Sequence, residues 1–330
     1  MSVNWKAFAN QIQHYQSFVL VSHVRPDCDA LGSELAMAEV LRAIGKDVRI
    51  INAHRTPRSL QFLDPAENIE VLGEHVEAED IQCDCFMVLD TSAWIQLGDM
   101  ADVIRAASCD KIVVDHHVGE DDLGANLYKD YQAEATGHLV IQAADALCVP
   151  LTRKIANAAF AAIATDTGWF RFSSVTAETY RVIARLIDAG VVPSEVYGDL
   201  YERDTLGRLR LRGLILSRTQ SEVDGVLMHT YVQREDFEKM DAQPNDTEDS
   251  INLTLTVQHA QAAVIFIGQM RGGFKLSFRS QCGVDCNEVA SQFGGGGHKA
   301  AAGAFLEGTL DEVRGRVLPV MIAAVEKAMA

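Results

Sequence analysis

Apolar residues in the first half of the chain fall into short runs separated by stretches of helical spacing. Residues 17–22 (SFVLVS) form an apolar run ending in a polar cluster. From 33 to 44, Leu35, Ala38, Val40 and Leu41 follow a helical spacing that stops at Gly45, a residue suited to the position after a helix end. Residues 48–51 read as a second strand. Residues 86–89 and 112–114 are two more, apolar and β-rich as strands buried on both faces are. Helical patterns follow at 136–147, 153–164 and 177–189. This alternation predicts an α/β fold with a mostly parallel, doubly wound sheet and helices on both faces.

Near 190–193 the pattern changes. Residues 202–218 are rich in Arg and Leu and predict a linking helix. Beyond it come a strand at 226–232, a turn-rich polar stretch at 241–249, a helix at 250–259 and strands at 263–270 and 274–279. A glycine run, another strand and a helix at 310–329 complete the chain. The expectation is an N-terminal domain over 1–190, a helical linker over 191–213 and a smaller C-terminal α/β domain over 214–330, with a cleft between the domains.

Composition narrows the function classes. With 48% hydrophobic residues and 7 prolines in 330 residues, the chain has ample material for packed cores and is not a disordered or collagen-like sequence. No run approaches the roughly 18 apolar residues of a membrane span. Residues 1–16 carry polar residues throughout and lack a signal peptide's apolar run, so the expectation is a cytoplasmic protein with no membrane partner. Seven cysteines occur without a C-x-x-C pair, which fits reduced thiols rather than a zinc site or a disulfide framework. The net charge of −17 speaks against a grip on long duplex nucleic acid. It leaves room for a small phosphorylated ligand, because bound metal ions reverse the sign of a site.

The position of the polar residues carries the chemistry. His23, Asp27 and Asp29 (SHVRPDCDALGS) follow the first strand, Asp90 (VLDTS) ends the 86–89 strand, and Asp115, His116 and His117 (VVDHHV) end the 112–114 strand. In a parallel sheet these strand ends share the carboxyl edge, where doubly wound folds bind their ligands. Asp166 (ATDTGWFRFSS) terminates an apolar helix within reach of that edge. Four carboxylates gathered without basic partners repel one another unless cations join them. Mixed carboxylate and imidazole ligands suit manganese, zinc, iron or cobalt. The alternation suggests two ions, one near His23 and Asp27, the other near Asp29, His116 and Asp166, with Asp90 bridging. Two ions about 3.5–4 Å apart clamp the attacking and leaving oxygens of a phosphoryl displacement.

A second constellation lies in the C-terminal half. Arg279 (SFRS) ends a strand, and FGGGGHKAAAGAF (293–305) places His298 and Lys299 directly after four glycines. Glycines let backbone N–H groups turn toward an anion. The spacing is neither that of a Walker A loop nor that of a dinucleotide fingerprint. A flexible loop and a phosphate-capturing loop are the two readings, and Arg279 and His298 shift the balance to the second. Trp169, Phe170 and Phe172 suit base stacking or core packing equally. His14, His54, His75, His138, His229 and His259 have no ligand-like spacing.

The set H-x3-D-x-D, strand-terminal Asp, D-H-H and T-D-T-G resembles the four motifs of the DHH phosphoesterase family. The resemblance implies that His23, Asp27, Asp29, Asp90, His116 and Asp166 bind two Mn2+ ions. It also implies that His117 faces the substrate phosphate and that Asp115 orients the histidines. Cys28 departs from the pattern, which often has Gly or Ala there. Residues 248–308 resemble the DHH-associated C-terminal domain, which implies substrate binding by Arg279, Gly296, Gly297 and His298, with Asn252 near the nucleotide. The pairing is similar to the nanoRNase or pAp phosphatase branch, whose members act on short RNA oligonucleotides and on 3′-phosphoadenosine 5′-phosphate (pAp). A cyclic dinucleotide phosphodiesterase, a manganese pyrophosphatase and a non-catalytic nucleotide sensor are the rivals, and a homodimer is compatible with all of them.

Overall fold

Six short strands, the central ones reading as buried runs, assemble into one all-parallel sheet. They are β1 (Ser17–Val21), β2 (Asp47–Asn52), β3 (Ile69–Val71), β4 (Cys85–Leu89), β5 (Asp110–Asp115) and β6 (Asn126–Lys129). Their order is β3-β2-β1-β4-β5-β6, and every neighbouring pair is parallel. The connections run outward in opposite directions from β1 and β4, so a topological switch point lies between these two strands. The computed structural model describes residues 3–119 and 121–329.

Alternate residues along the strands feed two cores. Leu20, Met87 and Val114 join one, with residues from α1 (Trp5–Ile12), α2 (Cys28–Ala43), α4 (Thr136–Ala146), α5 (Arg153–Asp166) and α6 (Ala177–Asp188). Val21, Val88 and Val113 join the other, covered by α3 (Met100–Ala106) and the loop carrying Leu97. Nearly every position of β1 and β4 is buried as a result. On the thicker face α2 lies directly on α5. A Cβ at Gly32 would sit 2.5 Å from the Ala158 carbonyl oxygen, so only glycine permits this approach. α7 (Pro193–Tyr201), with proline in its first turn, ends this unit.

The chain divides into two compact units between Arg203 and Asp204. The 191–213 segment, expected as a linker, holds two helices that belong to different units. α7 packs with the first, and α8 (Leu206–Ser217) starts the second behind a Thr205 cap. Asp204 interrupts the helix expected over 202–218 and accepts ion pairs from Arg208 at 3.3 Å and Arg212 at 2.8 Å.

The second unit is a mixed sheet in the order β11-β12-β10-β9-β8-β7. Its strands are β7 (Gln220–Glu222), β8 (Leu227–Val232), β9 (Ala262–Gly268), β10 (Phe274–Ser280), β11 (Gly296–Gly297) and β12 (Ala301–Leu306). β8 and β9 are parallel and the other pairs antiparallel. Leu276 and Phe278 pack with α11 (Cys286–Ser291) and α12 (Leu310–Met329); Ala263 and Ile265 pack on the opposite face with α8, α9 (Arg234–Met240) and α10 (Ser250–Thr254). The helix expected over 250–259 stops at Thr254, and His259 turns the chain with a left-handed φ of 72°.

Candidate metal centre

Each polar group expected at the carboxyl edge is delivered there by an element whose local sequence explains it. Asp27 caps α2, accepting from the Ala30 N–H at 3.0 Å, so the H-x3-D-x-D segment is the turn from β1 into that helix. Asp29 then lies in the first turn of α2, where the helix dipole favours a carboxylate. Asp90 leaves β4 with a left-handed φ of 62°, a conformation costing of order 1–3 kcal/mol in a non-glycine residue, and its N–H is held by the Val114 carbonyl at 3.1 Å. Asp166 is the last residue of α5, and His116 follows directly on β5.

Both clustered imidazoles present the same nitrogen inward. His23 Nδ1 donates to the Val24 carbonyl at 3.0 Å and His116 Nδ1 to the Ala133 carbonyl at 3.1 Å. A carbonyl only accepts, so Nδ1 carries the proton and Nε2 is left as the donor toward the cluster, the arrangement usual for metal-binding imidazoles. His23 Nε2 lies 3.5 Å from Asp90 Oδ2 and 3.8 Å from Asp27 Oδ1. His116 Nε2 lies 3.6 Å from Asp90 Oδ1, 3.8 Å from Asp29 Oδ2 and 3.5 Å from Asp166 Oδ2. The two oxygens of Asp90 therefore face different histidines.

Electrostatics leave this cluster unsatisfied without a cation. Asp29 and Asp90 are each 2% exposed, and the ion-pair partners of Asp27, Asp29, Asp90 and Asp166 among the described residues are histidines. Burial pushes the Asp29 carboxyl above the usual range. Burial and the neighbouring Asp29 push Asp90 well above it and Asp166 up to about 6. Burial opposes charge on His23, but the Asp27 and Asp90 carboxylates outweigh it and lift the imidazole to about 11. Donor atoms form three sets whose members lie within 4.8 Å of one another: His23, Asp27 and Asp90; Asp29, His116 and Asp166; and Asp90, His116 and His117. Oxygen and imidazole donors at this spacing fit divalent cations such as manganese.

His117 adjoins the cluster, its Nδ1 lying 3.8 Å from Asp90 Oδ1, and has a closer partner of its own. Its Nδ1 lies 2.8 Å from Asp115 Oδ1, which also accepts the His117 N–H at 3.0 Å. Asp115 is fully buried, and Lys129 Nζ sits 3.0 Å from its other oxygen. Burial works to raise Asp115, yet the bonds from His117 and Lys129 hold it down to about 2; the Asp115 bond in turn raises His117. The His117 side chain is 56% exposed. Sequence reasoning missed Lys129, and also Ala133, Thr136 and Gly137, which back the donor set from the start of α4. The Thr-Gly pair opening the 136–147 helical pattern was the available signal. Cys28 lies in the apolar core beside α5, its thiol pushed up to about 12 by burial, and is absent from all three donor sets.

In the second unit, Arg279 and the glycine run flank the same end of β12. Arg279 pairs with Ala301, and Gly297 with Ala302 on the far side of that strand. His298 closes a tight turn with Ala301, its N–H donating at 2.7 Å. Close packing on β12 requires glycine at Gly295 and Gly297. A Cβ at Gly295 would fall 2.1 Å from the Gly303 carbonyl oxygen, and Gly297 adopts a φ of 151° with Asn287 Oδ1 accepting its N–H at 2.9 Å. Asn252 lies on α10, its amide donating to Asp249 at 3.3 Å, and no hydrogen bond among the described residues ties it to Arg279 or His298. Trp169 and Phe170 pack edge-on against Phe160, Trp169 also meets Tyr197 and Tyr201, and Phe172 is half exposed.

Known proteins resemble this chain along most of its length. The bifunctional oligoribonuclease and PAP phosphatase NrnA of Thermus thermophilus is 33% identical over 304 residues, spanning 91% of this chain and 87% of that protein. The chain belongs to the DHH family. Residues 17–163 match the DHH family N-terminal domain and residues 238–329 the DHHA1 domain. The protein of the same name from Bacillus subtilis is 27% identical over 297 residues, covering 89% of this chain and 90% of that one. Among solved structures, an exopolyphosphatase-related protein from Bacteroides fragilis superimposes with a TM-score of 0.86 at 27% identity, covering 98% of this chain and 95% of that chain. A RecJ exonuclease structure bound to manganese shares the fold, with a TM-score of 0.57 at 14% identity, 100% of this chain and 95% of that chain being covered.

Proposed function

We propose that this DHH-family chain is a metal-dependent phosphoesterase that hydrolyses very short oligoribonucleotides to mononucleotides and pAp to AMP. The observation that carries the reading is the donor geometry: three adjacent strand ends and one helix end aim six imidazole and carboxylate donors inward, with Nε2 of both histidines facing the carboxylates. His23, Asp27 and Asp90 would hold one ion and Asp29, His116 and Asp166 the other, with Asp90 shared. Bound there, two manganese ions supply Lewis-acid activation of the phosphoryl oxygen and of water. All donors come from one chain, so the set is complete without a second copy.

His117 is assigned to the substrate phosphate. Asp115 fixes its tautomer and favours the imidazolium, so Nε2 can stabilise charge on the phosphoryl group or protonate the leaving oxygen as water adds and the P–O bond breaks. The second unit is the substrate-binding part in this reading. Arg279, the Gly296 and Gly297 N–H groups and His298 receive a terminal phosphate, and Asn252 contacts the nucleotide. The remaining acidity of the chain disfavours long polyanions and leaves short ones, substrates of the cytoplasm. Six intact donors speak for turnover rather than for a sensor. A panel of 5′-labelled di- to pentaribonucleotides, pAp and a cyclic dinucleotide, assayed with Mn2+ and with chelator, tests the reading. Release of mononucleotides and AMP supports it, and turnover of the cyclic substrate alone replaces it.

A further inference from the structure

Three of the six donors are held from behind by one five-residue segment, 133–137, between β6 and α4. The Ala133 carbonyl accepts from His116 Nδ1 at 3.1 Å. The N–H groups of Thr136 and Gly137 donate to the two oxygens of Asp29 at 2.7 and 2.9 Å. The Thr136 hydroxyl donates to Asp90 Oδ1 at 2.8 Å. Thr136 thus bonds to two carboxylates that reach the site from different elements.

The sequence around α4 explains why these groups are available. Ala135 occupies the N-cap and has no side chain to satisfy the first N–H groups of the helix. Asp29, from α2, takes the place of the missing cap. The segment is itself anchored within the core. Glu134 and His138 are 4% and 5% exposed, and His138 Nδ1 lies 3.0 Å from each carboxylate oxygen. Gln142 Nε2 donates to His138 Nε2 at 3.2 Å, and Trp5 Nε1 donates to Gln142 Oε1 at 2.8 Å. His138, without apparent purpose in the sequence, is part of this anchor.

We propose that Thr136 is a positioning residue for the metal centre. Its hydroxyl sets the rotation of the Asp90 carboxylate, so that Oδ2 faces His23 and Oδ1 faces His116, and its N–H holds Asp29 in register with both. Loss of the hydroxyl frees Asp90 to turn while the two backbone bonds to Asp29 remain. The inference rests on the divalent-metal reading of the site.

The test is a Mn2+ titration of the purified full chain, followed by the electron paramagnetic resonance signal of free Mn2+, for the native protein, Thr136→Val and Thr136→Ser. Thr136→Val is expected to bind Mn2+ about 10–100-fold more weakly, the usual effect of removing a bond that orients a ligand, and Thr136→Ser to restore the affinity. The thermal midpoint of the metal-free proteins is the second readout. A merely structural role would lower that midpoint and leave Mn2+ affinity unchanged, which overturns the proposal. Should Thr136→Val fail to fold, Thr136→Ala is titrated in its place against the same outcomes. A native protein that takes up no Mn2+ overturns the metal reading itself. Native uptake with unaltered affinity in the variants overturns the positioning role alone.

Discussion

His117 Nδ1 lies 2.8 Å from Asp115 Oδ1, and the backbone N–H of the same histidine donates to that same oxygen at 3.0 Å. A buried carboxylate thus fixes both the orientation and the tautomer of an exposed imidazole beside the histidine–carboxylate cluster. His117→Ala is expected to lower kcat on pAp by about 10²–10⁴-fold, the usual range for a positioned acid or base. Mn2+ affinity should stay near native, because His117 lies outside the two proposed donor sets. Asp115→Asn should give a smaller loss of kcat, since the imidazole keeps its place and loses only its fixed proton. Steady-state kinetics with a parallel Mn2+ titration check both; native kcat in His117→Ala contradicts the assignment.

Cation binding must compete with protons. In the metal-free protein His23 is lifted to about 11 and Asp166 to about 6, so both hold protons above their ordinary values. A cation displaces them, and the equilibrium moves toward binding as proton concentration falls. Mn2+ affinity is therefore expected to tighten from pH 5.5 to pH 7.5, with protons released on binding. Calorimetry in two buffers of different ionisation heat reads both quantities. A flat affinity with no proton release contradicts the donor set.

The contact between α2 and α5 sets the distance between Asp29 and Asp166. Gly32→Ala pushes a methyl to within 2.5 Å of the Ala158 carbonyl oxygen and is expected to cost about 1–3 kcal/mol, as overpacking does. Gly213→Ala, in exposed space within α8, should instead stabilise its helix by up to about 1 kcal/mol. Thermal or denaturant unfolding separates the two, and equal effects at both sites contradict the packing account.

Arg279→Ala is expected to raise KM for pAp by roughly 10–100-fold, equivalent to one lost charge-assisted hydrogen bond of about 1.5–3 kcal/mol. Mn2+ affinity should be unchanged. An unaltered KM removes Arg279 from the substrate site.

The parts legible in the sequence were those with a local signature. β1, β4 and β5 are continuous apolar runs with a polar residue at the carboxyl end, so the edge that collects His23, Asp90 and His116 follows from their shared direction. β3 is three residues long and β6 exposes Asn126 and Leu127, so neither shows the pattern of a buried strand. The bond from Thr136 to Asp90 joins residues 46 positions apart, and nothing in the 136–147 helical pattern says which carboxylate lies above its end. The glycine run shows the reverse case. Its composition alone favours a flexible loop over an anion site, and the close approach of Gly295 and Gly297 to β12 accounts for glycine at those two positions.

In the proposed function, the six donors make this chain a metal-dependent phosphoesterase. The most direct test is the release of AMP from pAp, and of mononucleotides from a labelled diribonucleotide, by native protein and Asp90→Asn, each with Mn2+ and with chelator. Turnover is expected only for the native protein with Mn2+, with loss of Mn2+ uptake in Asp90→Asn. Native-level turnover by Asp90→Asn, or turnover undiminished by chelator, contradicts it.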